Sequence, residues 1–462
     1  MDNSKNKSLM QGMLIYAIGN FGTKILSFLI VPLYTYYIST ADMGTYDLLI
    51  STVNLLTPII TLQISDAAYS FMIRNRMKND LCIASSMQVL LVNSLISTAA
   101  IFLVDMFFPI DYLWEFVWLT VTTNMLTVVQ RMLRGLKKQT LFAISGVVYT
   151  AVFLGLNVVQ ICVLHQGVRS LLTSAIIANL VTLLVIYIAE RQLRVSVIRK
   201  PDLPAIGQML QFAVPLIPNQ LSWWVINSSN RYIISIFLDR SANGIFSISY
   251  KFPTILQMVL TLFNTSWQDV VVADNEDSGA FYTGVFRTLY TLSFTMLLPL
   301  IPATKLVIRW FMEQSYADAA NYVAFLYLGT VFQSFASFYG VGYLRGKDTK
   351  RASTTSIFGA LCNVVIHFTL IRFIGLQAAA ISTFVGFMAM WLVRERHNRK
   401  ELGIQVQWSH FLMFFLLALL LCVAASFTNV LMDCILTVAG GIIFLVLNRE
   451  MISSLLKKVL KK

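Results

Sequence analysis

A chain of 462 residues that is 57% hydrophobic and only 12% charged carries more apolar surface than a soluble domain can hide. Its net charge of +13 would suggest nucleic acid in a soluble protein. Here the cations sit in short gaps between apolar stretches, where they face an anionic leaflet, so nucleic acid is excluded and the lipid bilayer is the expected partner.

Apolar stretches of membrane-span length recur along the whole chain. They predict spans at 12–38, 44–71, 81–108, 112–133, 141–165, 170–190 and 208–238. Further spans follow at 243–265, 281–302, 321–343, 353–372, 376–393, 410–428 and 431–448, about fourteen in all. The fold class is therefore an all-α polytopic membrane protein. The first stretch is too long for a cleavable signal peptide and reads as a signal anchor. With the N-terminus inside, 26 of the 35 Lys and Arg residues fall on the cytoplasmic side. Five fall in outer gaps: Arg169, Arg240, Lys305, Arg309 and Arg372. Both termini are then cytoplasmic. The inside gap 266–280 dissents, with Asp269, Asp274, Glu276 and Asp277 and no cation.

Two halves are related. Residues 38–53 align with 238–253, placing Gly44 on Gly244 and Tyr46 on Phe246. Leu133-Arg134-Gly135 recurs as Leu344-Arg345-Gly346, and Asn157-Val158-Val159 as Asn363-Val364-Val365. The expected organisation is a six-helix lobe over 1–200, a second over 201–400, and a helix pair with a basic tail over 401–462. Six spans per repeat is an even number, so the lobes share one orientation. Such a pair suggests a transporter with its substrate path between the lobes.

Polar stripes within spans mark candidate contacts, because charge at membrane depth is costly. Lys24 lies about eleven residues into the first span, roughly 16 Å deep at the helical rise, with Asn20 and Ser27 on its face. The second span carries Asp47, Ser51 and Asn54, which the repeat maps onto Ser247, Lys251 and Thr254. The seventh carries Gln220, Trp224, Asn227 and Arg231, with Asn230 beside the arginine. Arg287 enters the ninth span, where snorkelling to the inner surface is an alternative. Lys24, Arg231, Lys251 and Arg287 give a cationic cavity suited to phosphate, with Asp47 as its main acid and Asp47 and Asn230 as gating or ion-pair residues. Pro32, Pro58, Pro215, Pro218, Pro253 and Pro299 offer kinks. Asn157, Gln160, Asn363 and His367 read as interhelical hydrogen-bonding groups.

No catalytic triad, metal-ligand spacing or Gly-rich phosphate loop occurs; Gly340-Val341-Gly342 closes a span without the surrounding strand and helix. The five cysteines, Cys82, Cys162, Cys362, Cys422 and Cys434, form neither a disulfide framework nor a zinc site. An enzyme is not expected, no metal or organic cofactor is expected, and work must come from an ion gradient, the membrane potential or product consumption.

Gly19-Asn20-Phe21 through Pro32-Leu33, and then Met43-Gly44-Thr45-Tyr46, resemble the first two helices of the polysaccharide-biosynthesis flippases. These are the O-antigen (Wzx-type) members of the multidrug/oligosaccharidyl-lipid/polysaccharide exporter superfamily. Phe212 to Tyr250 resembles the same family, through Pro215-Leu216-Ile217-Pro218, Asn230-Arg231-Tyr232 and Gly244-Ile245-Phe246. The resemblance covers about residues 10–400. It implies a MATE-like fold and transfer of an undecaprenyl-pyrophosphate oligosaccharide (an O-antigen, capsule or exopolysaccharide unit) to the outer leaflet of the bacterial inner membrane. It also implies H+ or Na+ as the coupling ion if there is one, with a polysaccharide polymerase and a chain-length regulator as partners. One departure is Asn230, where the family often has Asp before the arginine. Another is fourteen spans, as in the lipid II flippases of the superfamily. The competing readings are a cation-coupled multidrug exporter of the same fold, a lipid II-type flippase, a membrane enzyme and an assembly scaffold.

Overall fold

The computed structural model describes residues 28–196, 202–273, 279–345, 348–399 and 401–449. It forms two compact units, residues 1–224 and 225–462. The division falls inside the predicted seventh span, and the C-terminal helix pair belongs to the second unit.

In the first unit, α1 (Val31–Tyr37), α2 (Thr40–Ile60) and α3 (Ile64–Ile73) precede α4 (Asn79–Asp105). Helices α5 (Leu113–Gly135), α6 (Gln139–Cys162), α7 (Val168–Ala189) and α8 (Arg191–Ser196) follow, then α9 (Leu203–Ala213) and the start of α10 (Ile217–Ser228). Ser39 caps α2 by accepting from the Asp42 N–H at 3.1 Å. The predicted second span is broken. Helix α2 runs through Pro58 to Ile60, and Leu62 and Gln63 adopt left-handed backbone conformations before α3 begins. Ile64, Ala67, Met72, Cys82, Val128, Met132, Leu133 and Met209 pack α3, α4, α5 and α9 into one core. Helix α4 turns Leu91, Leu95 and Ile96 outward, as a lipid-facing helix does.

The second unit continues with α11 (Asn230–Phe237), α12 (Arg240–Lys251), α13 (Pro253–Ala273) and α14 (Gly279–Phe311). Then come α15 (Val323–Arg345), α16 (Thr349–Ile374), α17 (Gln377–Asn398), α18 (Trp408–Ala424) and α19 (Val430–Leu447). The repeat is visible in packing. Helices α5, α6 and α7 pack on one another as α15, α16 and α17 do, and α3 meets α5 as α13 meets α15. Asn157 and Asn363, matched in sequence, are both fully buried, and each donates to a hydroxyl of a neighbouring helix: Tyr34 at 3.3 Å and Ser382 at 3.4 Å. Aromatic rings fill the second unit's core; Trp391 stacks on Phe411 at 5.0 Å, and Phe286 meets Tyr339 edge-on at 5.1 Å.

Among the described residues, nine helices are long and apolar enough to cross a membrane, ten when α12 and α13 count as one bent span. Four of the fourteen predicted spans account for the rest. The first lies mostly outside the described residues; α5 carries Glu115, Arg131 and Arg134; the seventh is interrupted at Val214–Leu216 and Ser229; α18 has 17 residues. The chain is a multi-pass membrane protein.

Two loop assignments need correction. The outer gap at 303–320 is largely helix, because α14 continues through Pro299 and Pro302 to Phe311. Lys305 and Arg309 therefore sit on a helix rather than a loop. Arg394, counted among loop cations, is a buried residue of α17. It donates to the Ala336 carbonyl at 2.8 Å, Ser356 Oγ at 2.9 Å and Thr355 Oγ1 at 3.1 Å.

Candidate substrate-binding surfaces

Each unit carries part of the predicted constellation. In the first, Asp47 and Ser51 are buried on α2, and the Ser51 carbonyl accepts from Trp224 Nε1 at 2.9 Å. Trp224 and Ser51 are thus brought together, tying α10 to α2. Asn54 and Gln220 are exposed. Lys24, Asn20 and Ser27 lie outside the described residues.

In the second unit, Arg231 is only 7% exposed. Its Nη1 donates back one turn to the Asn227 carbonyl at 2.5 Å, and its guanidinium lies 4.8 Å from the centre of the Tyr250 ring. Tyr250 Oη donates to Asn227 Oδ1 at 2.9 Å, and Gln333 Nε2 reaches the same oxygen at 3.5 Å. Gln257 Nε2 donates to Gln333 Oε1 at 3.1 Å. The result is a cation held among amides and a phenol from α10, α11, α12, α13 and α15. Lys251, half-buried, ends α12 next to Tyr250.

The break after Lys251 has a local cause. Pro253 opens α13 without an N–H to continue the ladder, and the two helices meet at 43°. The freed Lys251 carbonyl accepts from Thr254 Oγ1 at 2.5 Å.

Asn230 is placed differently from its expected gating or ion-pair role. Fully buried, it donates to Thr383 Oγ1 at 2.7 Å and to the Ala379 carbonyl at 3.3 Å, and accepts from His367 Nδ1 at 2.8 Å. It joins α11 to α16 and α17, whereas Arg231's partners lie on α10 and α12. Arg287 is exposed on α14, apart from the Arg231 cluster.

Sequence reasoning missed a buried ionic cluster. Asp433 of α19 is 1% exposed and meets Lys305 Nζ at 3.3 Å and Arg309 Nη1 at 2.9 Å. Thr428 Oγ1 donates to Asp433 Oδ1 at 2.6 Å, and Lys305 also donates to the Ala425 carbonyl and to Thr428. A lone acid inside an apolar span was the readable signal. Gly340 and Gly342, without a nucleotide-binding context, also have a packing reason. A Cβ on Gly340 would lie 2.8 Å from Arg394 Nη1, and one on Gly342 would lie 2.8 Å from the Asn398 amide carbon. Among the described residues no cluster of His, Cys, Asp and Glu could hold a metal.

The profile of a family described as "Polysaccharide biosynthesis protein" matches residues 9–267. No protein of curated function matches the chain. Among solved structures, the lipid II flippase MurJ in an inward closed conformation superposes with TM-score 0.75 at 13% identity, over 95% of this chain and 100% of that one. An inward-facing multidrug resistance MATE family transporter of the MOP superfamily gives 0.68 at 15% identity, over 82% and 94%. An outward-facing one gives 0.58 at 15%, over 85% and 95%. At these identities the likeness establishes a shared fold.

Proposed function

Since this chain belongs to the polysaccharide biosynthesis protein family, we propose that it moves a polyprenyl-pyrophosphate-linked oligosaccharide from the cytoplasmic to the outer leaflet of the bacterial inner membrane by alternating access. The observation that carries this reading is the buried guanidinium of Arg231, set by the Asn227 carbonyl and the Tyr250 ring. A guanidinium suits the planar, multidentate recognition of phosphate oxygens, and partial burial strengthens each such contact. Lys251 adds a point charge at the helix break. Lys24 is proposed as a further headgroup contact and Asp47 as a gating acid on the strength of their sequence positions. The lipid tail remains in the bilayer. Both termini would be cytoplasmic, and the driving force would be an H+ or Na+ gradient, the membrane potential or consumption of the product by a polymerase.

The test is made in cells lacking the gene, by measuring surface polysaccharide together with the amount and sidedness of lipid-linked oligosaccharide. Lost surface polymer with the lipid-linked unit accumulating on the cytoplasmic face is expected. Restoration by the wild-type chain but not by a normally expressed Arg231→Ala variant assigns the guanidinium to the step. Normal polymer and normal lipid-linked pools, accompanied by drug hypersensitivity, would instead favour a multidrug exporter of the same fold. Arrested peptidoglycan synthesis with lipid II retained inside would favour a lipid II-type flippase.

A further inference from the structure

Helix α13 carries a second pattern, of which Gln257 alone reaches the Arg231 cluster, through Gln333. Thr254, Gln257, Thr261, Asn264, Thr265 and Gln268 recur at three- and four-residue steps and fall within one helical face. The neighbouring face is core: Leu256, Leu260, Trp267 and Val271 are buried, and Trp267 stacks on Phe338 at 4.2 Å while donating Nε1–H to its carbonyl at 3.0 Å. The Thr254, Thr261 and Thr265 hydroxyls donate to the Lys251, Gln257 and Thr261 carbonyls of the same helix or its break and keep their acceptor capacity, and Gln257 donates to Gln333. Thr261, Thr265 and Gln268 are exposed, and Gln257 and Asn264 are half-buried. Asn264 Nδ2 donates to Ser334 Oγ at 2.9 Å, while its Oδ1 is shielded from solvent and has no hydrogen-bond partner among the described residues.

The threonine donors are satisfied by backbone carbonyls, but the Asn264 Oδ1 left without a partner and the exposed Gln268 amide are costly against lipid, so the face that carries them favours a wet path or a polar ligand. The row begins one turn after Lys251, at the helix break, and runs to the C-terminal end of the bent span. Its chemistry is specific in kind. The amides both donate and accept and the back-bonded hydroxyls still accept, which suits the donors and acceptors of sugar hydroxyls and N-acetyl groups. Phosphate would call for cations, and a drug cation for carboxylates or bare aromatic faces.

We propose that this face of α13 is a glycan track: it hydrogen-bonds the hydroxyl and acetamido groups of the lipid-linked oligosaccharide and selects among glycans, whereas Arg231 and Lys251 hold the pyrophosphate. This rests on the flippase reading above and adds the residues that read the sugar.

The experiment compares two ligands on the purified full chain in detergent. One is polyprenyl-pyrophosphate oligosaccharide extracted from cells lacking the gene; the other is polyprenyl pyrophosphate bearing no sugar. Binding is read from ligand-induced thermal stabilisation. The combined substitution Thr261→Val, Thr265→Val and Gln268→Met alters exposed positions at nearly constant volume. It should weaken oligosaccharide binding by about tenfold to a hundredfold, the worth of two or three neutral hydrogen bonds, and leave the sugar-free ligand within about twofold. Thr261→Ser with Thr265→Ser, which keeps both hydroxyls, should bind like wild type. Arg231→Gln should weaken both ligands. If the combined variant binds both ligands as wild type does, or loses both equally, the track is refuted while the flippase reading stands. If wild type binds neither ligand and cells lacking the gene keep their surface polymer, the flippase reading itself fails, and the track with it.

Discussion

Asp433→Asn is the sharpest test of how the C-terminal helix pair is held. The carboxylate and Lys305 are each 1% exposed and 3.3 Å apart, and Arg309 lies 2.9 Å from the same carboxylate. At an effective dielectric near 20 the Lys305–Asp433 attraction alone is about 5 kcal/mol, much of it offset by desolvation. Removing only the acid strands a buried ammonium, a change that typically costs about 3–5 kcal/mol. The asparagine keeps the shape and can still accept from Thr428, which places the expected loss near 3 kcal/mol. The assay is reversible unfolding of purified protein in mixed micelles with increasing SDS, read by far-UV circular dichroism. The double variant Lys305→Met with Asp433→Leu removes both charges and should recover all but about 1 kcal/mol, since Arg309 is 28% exposed and can turn outward. An Asp433→Asn protein within about 0.5 kcal/mol of wild type would refute the reasoning, because the carboxylate then does not compensate a buried charge.

Close packing of α19 on α14 gives a paired prediction. A Cβ on Gly440 would lie 2.6 Å from the Leu298 carbonyl carbon, whereas one on Gly441 meets nothing within 4 Å. Gly440→Ala should therefore cost about 1–3 kcal/mol in the same assay and Gly441→Ala nothing measurable. Asn230→Ala strips partners from His367, Thr383 and the Ala379 carbonyl; it should lower stability by about 2 kcal/mol yet leave the relative export of different lipid-linked oligosaccharides unchanged, as scored by surface polymer per folded molecule. Arg394→Gln cannot span the Ala336 carbonyl, Thr355 and Ser356 together, so membrane-extracted variant should melt lower than wild type; an unchanged melting temperature would mean that these bonds contribute nothing net.

Hydropathy and charge asymmetry made the membrane class legible because lipid imposes one rule on every span: apolar outside, backbone satisfied within. The repeat was legible through Asn157 and Asn363, whose equivalent burial needs the same residue at the same place in each half. Span interruptions were less so. Pro253 breaks a helix at 43°, yet Pro299 and Pro302 pass inside one helix of 33 residues, so proline alone does not locate a break. At the break after Lys251 the local geometry is held by Thr254 Oγ1, which donates to the Lys251 carbonyl.

Functional legibility followed from range of interaction. Asn227 and Arg231 are one turn apart on consecutive helices, so their contact is written in local spacing. Lys305 and Asp433 are 128 residues apart, and a count of loop charges assigns the lysine to topology when it belongs to packing. Between these extremes lies α13. Its polar face repeats at helical steps and could be read without a structure, but a search confined to charge passes over six uncharged residues. The distinction has physical weight. Charge fixes where a headgroup can rest, because Coulombic attraction is strong and only weakly directional in a partly buried site. Selection among glycans of equal charge needs directional, neutral hydrogen bonds, each small and each lost when a hydroxyl is missing or inverted. In a chain that recognises both parts of one molecule, residues such as Arg231 should govern whether any substrate is bound, and residues such as Thr261 and Gln268 should govern which one.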